Sequence, residues 1–365
     1  MKDVLICADT RSPALRHELG IAVSERVVYA ESGGARYVVA SPLARPALER
    51  VPNLVVLAFE SYGFAPGLSR GVTPDQSFAA GVLNVCRELG ISSAAVPPDF
   101  PLEIADELRL SGIELTTDRE EFDGRRRVKT EEQLGGIRRA QSAAEAALAA
   151  IRDEIQSAAS TTSEELRELG WGIFVQHGCA PNPKLTIASG ERSGSLHEAG
   201  SGPIEHHQPI LVDVYPQELR SGYWGDITRT FCKGEPSLEL ARMHTVVCSV
   251  LEEVKRAIRP GITGDELAAI ARDAFIDAGY RVGPPSQHDQ GEATFPHILG
   301  HGLGLELHER PFLDAGGEPL MAGDVVTVEP GLYKLGWGGV RVEDVVLVRP
   351  EGHELITSFP YDLSI

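Results

Sequence analysis

The sequence predicts an α+β chain of two domains, a smaller N-terminal α/β domain and a larger domain built from a duplicated αβ unit. Three observations carry this expectation. Residues 1 to about 116 alternate between short apolar, strand-like runs and a helix-period segment. A charge-dense stretch, 117–130, then interrupts the pattern, and a helix-opening motif recurs further on at a fixed offset. The domains are accordingly expected at 1–125 and 126–365.

In the first domain, DVLICA, ARYVVA and LVVLAF read as strands, and TPDQSFAAGVLNVCREL reads as a helix opening at Thr73 or Asp75. No catalytic constellation is visible there. TDREEFDGRRRVKT, residues 117–130 with Gly124 inside, reads as a charged, solvated interdomain connection. A long helix should follow. Thr130 and Gln133 form a capping box, and Leu134, Ile137, Leu148, Ile151 and Ile155 form an apolar stripe. TSEEL at 162–166 recurs as TGDEL at 263–267, an offset of 101 residues (263 − 162). Phe174 and Phe275, then Gly178 and Gly279, follow at that same offset. Thr162 with Glu165 and Thr263 with Glu266 are capping boxes, and the two glycines suit helix C-termini. A duplicated, pseudo-twofold domain with its site between the halves explains the repeat; chance similarity of two amphipathic helices is the alternative.

Composition bounds the function. The chain has 365 residues, 42% of them apolar, enough for two domains with a sizeable core. Its net charge of −19, from 34 basic and 53 acidic residues, argues against a nucleic-acid-binding face. The five cysteines (Cys7, Cys86, Cys179, Cys232 and Cys248) are scattered, with no CxxC pair, and read as buried free thiols in a reducing cytoplasm. Neither a signal peptide nor an apolar run of membrane-spanning length is evident, so no membrane partner is expected.

Five metal-ligand candidates lie in the second domain: Asp213 in LVDVYP, Asp226 in GYWGDITRTF, His301 in HILGHGLGLELHE, Glu329 in VVTVEPGLY and Glu343 in GVRVEDVVLV. Four carboxylates and one imidazole make a hard, oxygen-rich set that suits two divalent ions such as Mn²⁺, Co²⁺ or Zn²⁺. Gathered without metal, the four carboxylates would repel one another and some would protonate. Two divalent cations cancel them, and a water on such ions ionises with a pKa of about 7. Solvent-facing acids are the ordinary alternative, but apolar β-like surroundings make an unpaired charge costly.

Together, DITRTF (226–231), GHGLGLELHE (300–309), EPGLY (329–333) and GVRVED (339–344) resemble the "pita-bread" metallopeptidases, which include the Xaa-Pro dipeptidases (prolidases), aminopeptidase P, methionine aminopeptidase and creatinase. The resemblance covers about 126–365, and the smaller N-terminal domain resembles that of prolidase, aminopeptidase P and creatinase. It implies that Asp213 chelates one ion, that Asp226 and Glu343 bridge both, and that His301 and Glu329 complete the other. It implies hydrolysis by a metal-bridging hydroxide, with Glu329 as proton shuttle. His308 resembles the histidine that stabilises the tetrahedral intermediate, and His197, in SGSLHEAG, the one that contacts the substrate or its oxyanion. The substrate implied is a small peptide cleaved before proline. A homodimer is also implied.

Three further residues are weighed for substrate binding. His297 precedes His301 by four residues, but the glycines at 300, 302 and 304 argue against a helix, so His297 reads as lining or supporting the pocket. Arg341, two before Glu343, would orient carboxylates. Arg220, or Arg192, would pair with a substrate C-terminal carboxylate if it reached the pocket. His206 and His207 read as exposed in a polar turn. Two features depart from the family: the aspartates are 13 residues apart (226 − 213), with Gln217, Glu218 and Arg220 in the added segment, and Leu196 precedes His197 where proline is usual. These leave open which peptide end is read. An Xaa-Pro dipeptidase is the leading expectation, an aminopeptidase P or a carboxypeptidase variant the next, and a metal-free binding protein on the same fold the most remote.

Overall fold

A computed structural model of the chain describes residues 2–64, 73–182, 184–196, 198–284 and 291–365. The chain divides into two compact units, residues 1–126 and 127–365. The first holds a six-stranded mixed sheet in the order Leu54–Ala58, Ala35–Ala40, Val27–Ser32, Val4–Ala8, Ser93–Val96, Glu114–Thr117. Alternation along the strands buries both faces. Leu5, Cys7, Val28 and Val39 pack with one side-chain cluster, and Val4, Ile6, Val27, Tyr29 and Val38 with another. The three strands expected here are present. Val27–Ser32, Ser93–Val96 and Glu114–Thr117 escaped the reading because the last two are short and the first runs into polar residues. Thr73 caps the helix Pro74–Leu89 with a full capping box.

The segment 117–130 corrects one expectation. It is not a solvated connection: Arg119–Arg127 is helical, with Glu121 and Arg125 paired at i,i+4 and Asp123 and Arg126 at i,i+3. Arg127 and Lys129 are buried within the second unit. Arg127 binds Asp324 and Glu318 at 2.8 Å each, and Lys129 binds Glu309 at 2.6 Å. A charge run reads as solvated only while its counter-charges, nearly 200 residues away in sequence, are unknown.

The second unit repeats one arrangement twice. Helices Glu131–Ser157 and Ser163–Gln176 precede an antiparallel sheet of Thr186–Ser189, Pro209–Val214 and Ile227–Cys232. Helices Leu238–Ala257 and Gly264–Asp277 precede a five-stranded sheet centred on Gly300–Gly302, Val325–Val328 and Asp344–Val348. The equivalence extends to the helix starts. Thr162 bridges Pro203 and Thr263 bridges Pro319, each threonine inside a complete capping box. Gly178 and Gly279 follow the paired helices with φ of 72° and 85°, a conformation that favours glycine. The five stripe residues of the long helix are all buried. No helix among the described residues is long and apolar enough to cross a membrane.

One close approach seats the first sheet against the long helix. A Cβ at Gly225 would lie 2.6 Å from the Ala140 carbonyl carbon and the Gln141 amide nitrogen. Gly225→Ala is therefore expected to cost about 1–3 kcal/mol by forcing the backbones apart. It should also weaken divalent-metal binding, since Asp226 is next in sequence. Denaturant melts and metal titrations check both effects. Gly172→Ala, in a helix with open space at its Cβ, is the control and should be neutral or stabilising.

Candidate metal centre

The five ligand candidates arrive from five different strand edges. Asp213 is the penultimate residue of Pro209–Val214, and Asp226 immediately precedes Ile227–Cys232, which pairs antiparallel with it. His301 is the middle residue of Gly300–Gly302. Glu329 leaves Val325–Val328, and Glu343 lies between Gly338–Arg341 and Asp344–Val348. The Glu343 amide donates to the Thr228 carbonyl at 3.0 Å, which ties the two halves together beside the site. All five residues line one cavity of about 640 Å³, with Arg341, His297 and His308 among its other walls.

Within the cavity, ligand atoms of Asp226, His301 and Glu343 all lie within 4.8 Å of one another, and all three residues are buried. His301 Nε2 stands 3.3 Å from Glu329 and 3.9 Å from Asp226. Its Nδ1 lies 3.1 Å from the Gly302 carbonyl, to which it donates, and its Nε2 faces the carboxylates. Three carboxylate oxygens, Asp213 Oδ1, Asp226 Oδ1 and Glu343 Oε1, are buried with no hydrogen-bond partner. Buried acceptors of this kind are costly and rare. Convergent and unpartnered, they fit divalent cations.

The charge balance agrees. Burial pushes Asp226 well above the usual carboxylate range, and the charges of Glu343, Asp213 and Glu329 push it further. Burial and the neighbouring Glu329 and Asp213 do the same to Glu343. Burial raises Asp213 despite Arg341, whose Nη2 donates to it at 2.6 Å. Glu329 goes the other way: burial raises it, but the hydrogen bond and charge of His301, with His297 and Arg341, prevail and hold it at about 2.

Supporting groups fix these side chains from behind. Thr228 donates to Glu343 Oε2 at 2.7 Å and receives Arg341 Nε at 3.2 Å. Arg341 Nη1 donates to the Tyr333 hydroxyl at 2.9 Å, and that hydroxyl lies 3.2 Å from His297 Nε2. His297 Nδ1 is 2.7 Å from the Ile298 carbonyl, so both ring nitrogens are engaged. Gln141, on the long helix, accepts the Asp226 amide at 3.0 Å. His308 packs edge-on against His301 with ring centroids 4.3 Å apart, and burial, with the nearby His301, lowers its pKa. A neutral imidazole there retains one N–H to donate. Its loop is held by the Lys129–Glu309 pair beneath it.

Other expected residues fall elsewhere. His197 lies outside the described residues. Arg220 is exposed in a turn and is not among the described residues lining the cavity. The added segment folds back instead: Gln217–Glu218 pairs with Cys179–Ala180, and Glu218 is buried against Arg139 at 3.3 Å. Arg192 pairs with Glu198 at 3.6 Å, also outside the described lining. His206 and His207 are exposed in a turn, as read. Gln141, Tyr333 and Thr228 were missed as site residues. Only Thr228 carried a local sign, in the run of three polar residues TRT between apolar neighbours.

A cluster of candidate ligands at the strand edges of a duplicated α+β domain fits a metal-dependent enzyme. Residues 135–350, well over half the chain, match the metallopeptidase family M24, and the chain belongs to that family. It is 33% identical over 242 residues to an Xaa-Pro dipeptidase of Pyrococcus furiosus, covering 65% of this chain and 64% of that protein, just under two thirds of the relative's length. Over 282 residues it is 30% identical to an Xaa-Pro dipeptidase of Pyrococcus horikoshii, covering 75% of each. The solved Xaa-Pro dipeptidase of Bacillus anthracis superposes with a TM-score of 0.83 at 25% identity, covering 100% of this chain and 95% of the other. The pita-bread expectation for the fold is thereby met.

The raised carboxyls make a prediction about pH. In the metal-free protein Asp213, Asp226 and Glu343 hold protons to higher pH than in the unfolded chain, so stability falls as pH rises through their raised values. Glu329 contributes its full stabilisation above its ordinary value of 4.5 and so stays constant from pH 6 to 8. Adding Mn²⁺ should therefore raise Tm more at pH 8 than at pH 6. Calorimetric titration in buffers of different ionisation enthalpy should show proton release. Equal shifts at both pH values with no release would mean that these carboxyls are already ionised.

Proposed function

We propose that this chain is an exopeptidase dependent on two divalent ions that hydrolyses the bond before proline in short peptides, an Xaa-Pro dipeptidase. The observation that carries the reading is the trio of buried, unpartnered carboxylate oxygens converging beside His301 in a peptide-sized cavity. The Xaa-Pro dipeptidases among its relatives supply the substrate class. Asp213, Asp226, His301, Glu329 and Glu343 would hold the ions, with Mn²⁺ proposed first and Co²⁺ or Zn²⁺ compatible with the same donors. When bound, the ions supply Lewis acidity and an activated water for attack on a carbonyl.

The chain's own groups do the rest. Glu329, ionised across the physiological range, takes the proton of the nucleophile and delivers it to the leaving nitrogen. The neutral His308 donates its N–H to the oxygen on which negative charge develops. Arg341 holds Asp213 in place and ties it through Tyr333 to His297, fixing the wall against which the substrate lies. An Xaa-Pro bond has no N–H, so a site that works through the carbonyl and the leaving nitrogen suits it. A homodimer is proposed alongside, by analogy with the family.

Product identification tests the reading. Mn²⁺-loaded protein should cleave Ala-Pro, leaving Ala-Pro-Ala and an N-acetylated peptide intact; release of Ala from the tripeptide would instead make it an aminopeptidase P. Asp226→Asn and Glu329→Gln should each lower kcat by at least about 100-fold. No cleavage of any Xaa-Pro peptide with any of the three metals would end the proposal.

A further inference from the structure

The cavity is asymmetric in charge. Its described carboxylates are Asp213, Asp226, Glu329 and Glu343, all four assigned above to metal. A substrate ammonium therefore finds no uncommitted carboxylate among the described lining residues. Two described cations line it, and Arg341 is already bound to Asp213 at 2.6 Å. The other is Lys184, an exposed residue whose ammonium makes no hydrogen bond or ion pair with any described residue. Its backbone is held: the amide donates to Asn182 Oδ1 at 3.0 Å and the carbonyl accepts from the Tyr215 hydroxyl.

Register places this cation. Thr186 sits opposite Asp213 in the antiparallel pair of strands. Lys184 comes two residues before Thr186, as Tyr215 comes two residues after Asp213 on the partner, and both line the cavity. Lys184 thus stands in the turn that leads into Thr186–Ser189, next to the end of the strand pair that carries Asp213.

We propose that Lys184 is a specificity-determining residue that receives the free C-terminal carboxylate of the substrate, so that the site reads the carboxyl end of a short peptide. This rests on the dipeptidase reading and adds the residue that selects substrate length on the leaving-group side. An exposed charge-assisted contact predicts a modest effect, about three- to tenfold.

The test compares Ala-Pro with Ala-Pro-amide in the Mn²⁺-loaded wild type, Lys184→Met and Lys184→Arg. Lys184→Met should raise KM for Ala-Pro by that factor at little-changed kcat, leave the amide unaffected, and be rescued by Lys184→Arg. Equal effects on acid and amide, or none, overturn the inference while leaving the dipeptidase reading intact. Calorimetric binding of L-proline and prolinamide to the same proteins gives a readout that needs no turnover. Proline alone should bind more weakly to Lys184→Met. Unchanged proline affinity overturns the role of Lys184 even if no Xaa-Pro peptide is cleaved, an outcome that would separately end the dipeptidase reading.

Discussion

The second unit is organised around one constraint, four carboxylates brought into a single buried cavity with one guanidinium among them. Arg341 neutralises part of that charge through Asp213, but three carboxylate oxygens remain buried without a partner. A protein that folds around such a cluster needs another source of positive charge, and divalent cations provide it. Burial and mutual repulsion raise Asp213, Asp226 and Glu343. Each follows from the same geometry, and each is relieved by a bound ion.

The surrounding fold keeps that cluster from relaxing. Arg229, almost fully buried, donates to the Glu343 carbonyl at 2.5 Å, to Asp344 at 3.0 Å, and to the Pro360 and Phe359 carbonyls at 2.9 and 2.7 Å. Lys255 reaches the other oxygen of Asp344 at 2.7 Å. The strand edge carrying Glu343 is thus pinned from a helix, from the neighbouring strand and from the chain's C-terminal residues. Lys129 and Glu309, with side chains 0% and 3% exposed, pair beside His308 and hold its loop. Buried ion pairs add little net stability, because desolvation cancels most of the attraction, but breaking one leaves an uncompensated charge. Their effect here is to permit one arrangement of the loop and penalise others.

Duplication explains how ligands from distant parts of the chain converge. Each half supplies two helices and an antiparallel sheet, and the same cap-to-proline bridge recurs at Thr162 and Thr263. The first sheet offers Asp213 and Asp226, and the second offers His301, Glu329 and Glu343. Neither half alone brings all five residues to the cavity.

Local chemistry determined much of this by itself. The helix start at Thr73, the capping boxes at Thr130, Thr162 and Thr263, the buried stripe of the long helix and the glycine stops are short-range effects, so they were legible in the sequence. The four acids that line the cavity stood out in the sequence because acids in apolar β-like sequence are expensive without a partner. What only the tertiary structure decided depends on partners remote in sequence. Arg127 and Lys129 looked solvated until Asp324 and Glu309 reached them, and Gln141 and Tyr333 had no local sign of their roles. The sequence shows which charges exist; only the folded chain shows which are left without a counter-charge, because that depends on distances between residues far apart along it.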